Sequence, residues 1–258
     1  MKLQDKVAVV TGGTRGIGFG IAAAFVAEGA TVVVNGRSEA KGAQALEALG
    51  GGDAVAFVQA DVSSRPDVDR LIDETVERFG RIDVLVNNAG GSSQLGPITS
   101  LTDEGWQGTI DWILNSAFWG TRKALQQMVP QRSGRIINIS STEGKRGFAM
   151  ASPYSAAKHG LHGLTKSAAL EVGVDGITVN AICPGLVATD MTEEAGREAA
   201  VSMGITYEQF LDGYAQETAI KRLVTVEEIA ALAVLLASDA GGGITGACIS
   251  IDGGSTPY

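Results

Sequence analysis

A chain of 258 residues with 45% hydrophobic residues can bury the core of an α/β domain and is too apolar for an intrinsically disordered protein. Its formal net charge of −9 argues against nucleic acids and anionic membranes as main partners, because both are negatively charged. The two cysteines, Cys183 and Cys248, lie in separate apolar runs, which indicates buried reduced thiols rather than a disulfide.

The chain begins with a short apolar run at 7–10 that glycines follow, and such a run is too short for a signal peptide. The longest other apolar run, 229–237, covers about half of a membrane span. We therefore expect a soluble, cytoplasmic protein.

Short β-branched runs alternate with helical patterns along the chain, which is typical of a parallel sheet covered by helices on both faces. The predicted strands are 7–10, 31–34, 55–58, 82–86, 135–139, 178–182 and 247–251. The predicted helices are 17–28, 39–49, 66–79, 103–129, 152–172 and 225–237. No linker or repeat divides these segments, so we predict one doubly wound α/β domain over residues 1–258.

The first predicted strand ends in a glycine-rich turn, and a helix follows at once. Glycines in such a turn allow backbone N–H groups to approach a pyrophosphate at the helix N-terminus. The spacing is Gly-x-x-x-Gly-x-Gly, not the commoner Gly-x-Gly-x-x-Gly. The turn predicts a dinucleotide site that contains Gly12, Thr14, Arg15, Gly16, Ile17 and Gly18.

The end of the second strand indicates which nicotinamide cofactor binds. An NAD site usually carries a carboxylate there, which accepts from the ribose 2′-hydroxyl. This chain instead reads Asn35-Gly36-Arg37. Arg37 and Arg15 could clamp a 2′-phosphate through charge-assisted hydrogen bonds, or both could simply face solvent. We expect NADP(H) to be preferred, with NAD(H) as the alternative.

Two further strand ends carry residues that predict cofactor contacts. Asp61, before Val62, would accept from the adenine amino group or would cap the next helix. The fourth strand ends in a polar, glycine-rich exit, where the backbone must approach a ligand or a neighbouring strand. The candidate residues there are Asn88, Ala89 and Gly90.

Tyr154 and Lys158 are four residues apart in a helical pattern, so their side chains project from one face. A free phenol has a pKa of about 10 and is a poor acid or base at neutral pH, but a nearby ammonium lowers that pKa. The pair is therefore a candidate general acid–base, although this spacing alone is more often a solvated helix face. Ser141, just past the strand at 135–139, would hold the same substrate oxygen.

These motifs resemble the short-chain dehydrogenase/reductase family, in particular its 3-oxoacyl reductases and 3-hydroxybutyrate dehydrogenases. The matching segments are Thr11–Gly18, Asn87–Gly90, Ser141, Tyr154-x-x-x-Lys158 and Pro184-Gly185. The resemblance covers nearly the whole chain. It implies a Rossmann-type fold with a seven-stranded sheet ordered 3-2-1-4-5-6-7, and hydride transfer between nicotinamide and a ketone or secondary alcohol.

The resemblance also implies roles for single residues. Tyr154 would be the acid in reduction and the base in oxidation, Lys158 would lower its pKa and bind the nicotinamide ribose, and Ser141 would polarise the substrate oxygen. Asn115 would hold a water in the proton relay. The loop against the nicotinamide carboxamide would contain Pro184, Gly185, Val187 and Thr189.

The segment at 190–218 forms a lid over the substrate in relatives of this kind. Its apolar residues suggest a substrate with hydrocarbon or ring character, or else the ordinary packing of two short helices. These residues are Met191, Met203, Ile205, Tyr207, Phe210, Leu211 and Tyr214. Glu143 would disfavour a small anionic substrate and Lys145 and Arg146 would favour one, and the sequence leaves open which of them face inward.

His159 and His162 have no third ligand at a suitable spacing, so we expect a helix surface or a subunit contact and no metal site. In relatives, the last strand and the helices near 103–129 and 152–172 form the interfaces of a tetramer. We therefore expect a homotetramer.

Three functions fit these observations. The first is an NADP(H)-dependent carbonyl reductase, and the second is an NAD-dependent dehydrogenase of a hydroxy acid or cyclic alcohol. The third, a non-catalytic cofactor sensor, would be expected to lack Ser141, Tyr154 or Lys158, and this chain has all three. An acyl carrier protein is acidic and would need a local basic patch on this chain. The candidates for such a patch are Arg122, Lys123, Arg132 and Arg135.

Overall fold

The computed structural model describes residues 1–256, apart from the side chains of Asp190, Met191, Glu194 and Ala195. The strands are β1 (Val7–Val10), β2 (Thr31–Gly36), β3 (Val55–Gln59), β4 (Val84–Asn87), β5 (Gly134–Ile139), β6 (Ile177–Pro184) and β7 (Cys248–Ile251). They form one parallel sheet in the order β3-β2-β1-β4-β5-β6-β7. The predicted strand order is confirmed.

Helices connect successive strands. They are α1 (Gly16–Ala27), α2 (Glu39–Ala48), α3 (Arg65–Phe79), α4 (Asp103–Ile110), α5 (Ser116–Gln131), α6 (Ser152–Val172), α7 (Asp190–Met203), α8 (Tyr207–Glu217) and α9 (Val226–Ala237). The predicted helix at 103–129 is interrupted by a π turn (Asp111–Asn115), which joins α4 to α5. The segment at 190–218 contains the two helices α7 and α8. No helix within residues 1–256 has the length and apolar character needed to cross a membrane.

Each face of the sheet is covered by its own apolar cluster. On one face, α1 and α9 pack against the strands through residues such as Phe25 and Ile229. On the other face, α3, α5 and α6 contribute residues such as Leu71 and Met128. Burial on both faces explains why the central strands read as continuous apolar runs in the sequence. All strands point the same way, so their carboxyl ends meet along one edge, where ligands bind in open α/β sheets.

Candidate active site

The carboxyl ends of the strands border a cleft with a volume of about 600 Å³. The predicted site residues that line this cleft come from seven separate segments. They are Gly12, Thr14, Arg15, Gly16, Ile17, Gly18, Asn35, Arg37, Asp61, Val62, Asn88, Ala89, Gly90, Ser141, Tyr154, Lys158, Pro184, Gly185, Val187 and Thr189. Asn115 is the one predicted residue outside this lining. The structure therefore brings together residues that lie up to 177 positions apart.

The glycine-rich turn fits a dinucleotide pyrophosphate sterically. Gly12 and Gly16 have positive φ angles of 62° and 57°, which side chains other than glycine rarely adopt. A Cβ at Gly18 would clash with the side-chain nitrogen of Asn88 and the carbonyl oxygen of Gly12. Arg15 is the N-cap of α1, and its side chain does not cap the helix. The first backbone N–H groups of α1 therefore face the cleft without a side-chain cap, as an anion site requires.

Thr11 organises this turn, a role that the sequence did not indicate. Its Oγ1 accepts hydrogen bonds from the backbone N–H groups of Asn88 (2.9 Å) and Ala89 (3.0 Å). The Asn88 side chain in turn donates to the Thr11 carbonyl oxygen at 2.8 Å. Asn35 accepts from the Gly12 N–H at 3.1 Å and donates to Ala60 at 2.8 Å. The side-chain amides of Asn35 and Asn88 therefore stabilise the glycine-rich turn through hydrogen bonds to its backbone.

The end of β2 has cations and no carboxylate. Arg15 and Arg37 line the cleft, and within residues 1–256 neither side chain forms an ion pair. The Arg37 guanidinium lies 5.5 Å from the ring centre of Trp112. Trp112 also lines the cleft, but it belongs to the π turn and was not predicted. Lys41, from α2, adds a further positive charge to this end of the cleft.

Asp61 accepts hydrogen bonds from the backbone N–H and the hydroxyl of Ser63, at 3.0 and 2.7 Å. The N-cap of α3 is Ser64. The alternative in which Asp61 caps this helix is therefore wrong, because its carboxylate closes the preceding turn instead.

Ser141, Tyr154 and Lys158 converge at the other end of the cleft. Ser141 follows β5, and α6 positions Tyr154 and Lys158 one turn apart. The Lys158 Nζ lies 5.4 Å from the centre of the Tyr154 ring. Lys158 is only 4% exposed and donates to the Ile139 carbonyl oxygen at 2.7 Å. This bond fixes the start of α6 against the end of β5, so the three side chains share one rigid frame.

The pKa of Tyr154 differs from the sequence-based expectation. Burial, followed by the charge of Glu143, raises the pKa of Tyr154 to about 12, whereas the neighbouring Ser141 hydroxyl acts in the lowering direction. Burial also lowers the pKa of Lys158 to about 8. The expected lowering by Lys158 is wrong for the chain alone, because burial and the Glu143 charge both disfavour the phenolate and Lys158 is not among the groups that lower this pKa. Tyr154 therefore holds its proton at neutral pH, as a general acid must.

Asn115 is the last residue of the π turn. Its amide nitrogen donates to the Asp111 carboxylate at 2.5 Å, and the side chain is not part of the cleft lining. Among the described residues, the Asn115 side chain therefore contacts its own turn and not the cleft. Its place in a water relay stays a prediction.

The substrate end of the cleft contains both acidic and basic side chains. Glu143, Arg146 and Glu217 line it together with Phe148 and Tyr214. Lys145 is not part of this lining. The sequence left open whether Glu143 or the basic residues Lys145 and Arg146 face inward. In the structure, Glu143 and Arg146 both line the cleft.

Aromatic side chains of α8 contact one another along this helix, and one of them, Tyr214, lines this end of the cleft. Ring centres lie 6.3 Å apart for Tyr207 and Phe210 and 5.0 Å apart for Phe210 and Tyr214. Gly196 allows α7 to pack closely against α8, because a Cβ at this position would lie only 2.8 Å from the Tyr207 ring. The Met191 side chain, also expected in the lid, lies outside the described residues.

His162 was expected on a helix surface or at a subunit contact, and the surface interpretation is wrong. It is 8% exposed, and its Nε2 lies 2.8 Å from Ser140 Oγ and 3.3 Å from the sulfur of Cys183. Burial, reinforced by surrounding cations, lowers the pKa of His162 to about 4. His159 is exposed, as the surface interpretation expects. Both cysteines are free thiols; Cys183 is buried, as predicted, whereas Cys248 is only partly buried.

Comparison with known proteins assigns the family. The family model for short chain dehydrogenases matches residues 6–200. A D-beta-hydroxybutyrate dehydrogenase of Cupriavidus necator is 41% identical over 254 residues, which cover 98% of each chain. A 3-oxoacyl-(acyl-carrier-protein) reductase of Synechocystis sp. is 41% identical over 260 residues, which cover 99% of each chain.

Solved structures agree with this assignment. A variant of actinorhodin polyketide ketoreductase, crystallised with NADPH, matches with a TM-score of 0.94 and 37% identity over 100% of both chains. The chain belongs to the short-chain dehydrogenase/reductase family. It is thus an NAD(P)-dependent oxidoreductase that acts on CH–OH or C=O groups.

Proposed function

We propose that this enzyme is an NADP(H)-dependent carbonyl reductase that resembles 3-oxoacyl reductases. The observation that carries the proposal lies at the end of β2. Arg37 and Arg15 line the cleft there, and neither forms an ion pair within residues 1–256. The position at which an NAD site usually has a carboxylate has none in this chain. Two arginine side chains match a 2′-phosphate in charge and in hydrogen-bonding geometry.

NADPH, when bound, supplies the hydride. The Ser141 hydroxyl donates a hydrogen bond to the substrate carbonyl oxygen, and Tyr154 gives its proton to the same oxygen as negative charge develops there. The raised pKa of Tyr154 suits this direction, because the phenol is protonated at neutral pH. Lys158 holds the cofactor ribose and keeps positive charge beside the phenol that loses its proton. Positioning and stabilisation of the developing alkoxide supply most of the rate gain.

The remaining predicted contacts complete the site. Asn115 holds a water behind Lys158, and the loop with Pro184, Gly185, Val187 and Thr189 fixes the nicotinamide carboxamide. Asp61 and Val62 bind the adenine. Helices α7 and α8 close over the substrate as a lid, and residues 1–258 form one domain around the sheet.

The experiment that tests the cofactor assignment is a fluorescence titration with NADPH and NADH at fixed salt. Markedly tighter binding of NADPH supports the proposal, and a preference for NADH contradicts it. Tyr154→Phe tests the proton donor, and the variant should lose nearly all ketone reduction and keep its affinity for NADPH. Substantial turnover by this variant would exclude Tyr154 as the acid.

The second candidate function is an NAD-dependent dehydrogenase of a hydroxy acid or cyclic alcohol. The Cupriavidus necator relative, named a D-beta-hydroxybutyrate dehydrogenase, favours it at 41% identity. Glu143 in the cleft opposes a small anionic substrate, which is why we place this candidate second. An NADH preference together with oxidation of 3-hydroxybutyrate would reverse the order.

We also propose a homotetramer in the cytoplasm and a free small-molecule substrate. An acyl carrier protein would need a basic patch, but Lys123, Arg132 and Arg135 lie within 4 Å of carboxylates of Asp73, Asp175 and Asp239. The positive charges that a carrier would need are therefore largely compensated within the chain.

A further inference from the structure

The Glu143 carboxylate is held in place beside the reacting groups. It lies in a short 3₁₀ turn (Thr142–Gly144) that begins at Ser141, whose Oγ accepts from the Glu143 N–H at 3.1 Å. Its Oε2 accepts from the hydroxyl of Ser155 at 3.2 Å. Ser155 follows Tyr154 directly, so this bond ties the carboxylate to the segment that carries Tyr154, while Ser141 holds the Glu143 backbone. Its charge also raises the pKa of both Tyr154 and Tyr214, and all three side chains line the cleft.

Arg146, two residues after this turn, is the complementary group. It lines the same cleft, and its Nε is buried with no hydrogen-bond partner among the described residues. Within residues 1–256 no carboxylate lies within 4 Å of its guanidinium. Glu143 and Arg146 are therefore not joined to each other. A buried donor without a partner is costly, so this arrangement suits a ligand that supplies the missing acceptor.

The two side chains together restrict the chemistry of that ligand. A carboxylate that paired with Arg146 would also be repelled by Glu143 and Glu217, and an ammonium that paired with these carboxylates would also be repelled by Arg146. A plain hydrocarbon would leave the buried Arg146 Nε unpaired. A hydroxyl group satisfies both side chains, because it can donate to Glu143 and accept from Arg146.

We propose that the substrates of this reductase are neutral hydroxyketones, whose hydroxyl group lies between Glu143 and Arg146 while the ketone faces Tyr154. This inference rests on the proposed function and names its substrate class. NADPH, as the reductant, contributes two electrons and a hydrogen as hydride. Tyr154 contributes the one proton that the carbonyl oxygen needs and regains it from solvent, so a hydroxyketone becomes a diol and NADPH becomes NADP⁺. Glu143 and Arg146 are then specificity-determining residues.

The test compares kcat/KM with NADPH for cyclohexanone, for its 2-, 3- and 4-hydroxy derivatives and for the anion 3-oxobutanoate. At least one hydroxyketone should exceed cyclohexanone by about 10-fold or more, because a site built to bind a hydroxyl discriminates strongly against its absence. Glu143→Gln and Arg146→Gln should each reduce this ratio by about 10-fold. Glu143→Gln should also improve the relative use of 3-oxobutanoate. Lys145→Gln, a charge change in the same turn but outside the cleft lining, should leave the ratio unchanged.

Binding gives a second readout that does not depend on turnover. Thermal-shift titrations of the NADP⁺ complex should show that a cyclohexanediol binds more tightly than cyclohexanol, and this difference should vanish in Arg146→Gln. Equal use of cyclohexanone and all three hydroxyketones would overturn the inference and leave the reductase assignment intact. Failure to reduce any of the ketones with NADPH would instead contradict the proposed function.

Discussion

The pKa of Tyr154 depends on groups that come from more than one segment of the chain. The spacing of Tyr154 from Lys158 is visible in the sequence, and a nearby ammonium does favour the phenolate. Desolvation, however, depends on how deeply α6 lies in the fold, and the charge of Glu143 acts in the same direction as burial. The outcome at a single residue is therefore set by groups from two segments, the 142–144 turn and α6.

Glu143→Gln should move the alkaline limb of ketone reduction to lower pH. Reduction needs the protonated phenol, so activity falls as the pH rises through the pKa of Tyr154. Removing the Glu143 charge lowers that pKa, while Ser141 and Lys158 remain in place around the phenol. The measurement is kcat/KM against pH at saturating NADPH. Glu217→Gln, which removes a carboxylate from the same cleft, serves as the control, and an unchanged or upward shift in Glu143→Gln would contradict the argument.

His162 should make the protein less stable as the solution becomes acidic. Its pKa is depressed to about 4 in the fold from an ordinary 6.5, so only the unfolded chain gains a proton between these values. The contribution of His162 to the free energy of unfolding is therefore fully present above pH 6.5 and is lost as the pH falls from 6.5 to 4. Below pH 4 it does not change further. The loss is on the order of 3 kcal/mol, since each pKa unit corresponds to about 1.4 kcal/mol.

Urea unfolding at several pH values measures this effect. His162→Leu should flatten the pH dependence between 6.5 and 4, whatever its stability at pH 7.5, whereas the exposed His159→Gln should retain the wild-type slope. An identical slope in wild type and His162→Leu would exclude His162 as the titrating group.

At the scale of elements, the structure was most predictable where local pattern decides. The strand ends were predicted to within two residues because central parallel strands are continuously apolar. The glycine turn was predicted because residues other than glycine rarely adopt its φ angles. The π turn was missed, since it changes the hydrogen-bond register of a helix without changing its apolar periodicity. The contacts of Arg37 with Trp112 and of His162 with Ser140 were missed as well, because each joins residues that are distant in sequence.

The predicted preference for NADPH over NADH depends on the residues at the end of β2. Arg37→Gln should weaken NADPH binding by about 10- to 100-fold, because a charge-assisted bond to a phosphate contributes roughly 1.5–3 kcal/mol. NADH, which has no 2′-phosphate, should be affected by about twofold or less. Trp112→Leu should weaken NADPH by a smaller factor, since the ring holds the guanidinium at 5.5 Å and an exposed cation–π contact contributes about 0.5–1 kcal/mol.

Dissociation constants from fluorescence titrations check these values. Arg78→Gln is a matched control, because its guanidinium also lies over an aromatic ring, that of Phe79 at 5.0 Å, but outside the cleft lining. Equal losses of NADPH and NADH affinity in Arg37→Gln would mean that the side chain does not bind the 2′-phosphate.

At the scale of the whole molecule, apolar surface lies on the elements expected at subunit interfaces. Phe118 on α5 and Leu170 on α6 are 43% and 85% exposed. Every residue of β7 is partly exposed, whereas every residue of its neighbour β6 is buried. Other exposed apolar side chains of the described residues, such as Val201, lie elsewhere, but those on α5 and α6 are the ones that the expected tetramer would cover. This pattern supports the proposed tetramer, which the sequence suggested only through its resemblance to a family.

Light scattering coupled to gel filtration should therefore give about four times the chain mass of 26.5 kDa. Phe118→Asp and Leu170→Asp should each lower that mass, because a charge buried in an apolar interface is costly. Val201→Asp on α7 is the control, since Val201 is 80% exposed but lies outside the expected interfaces. A monomeric wild type would refute the tetramer. A tetramer in both interface variants would show that α5 and α6 do not form its contacts, and the uncovered face of β7 would then be the next surface to substitute.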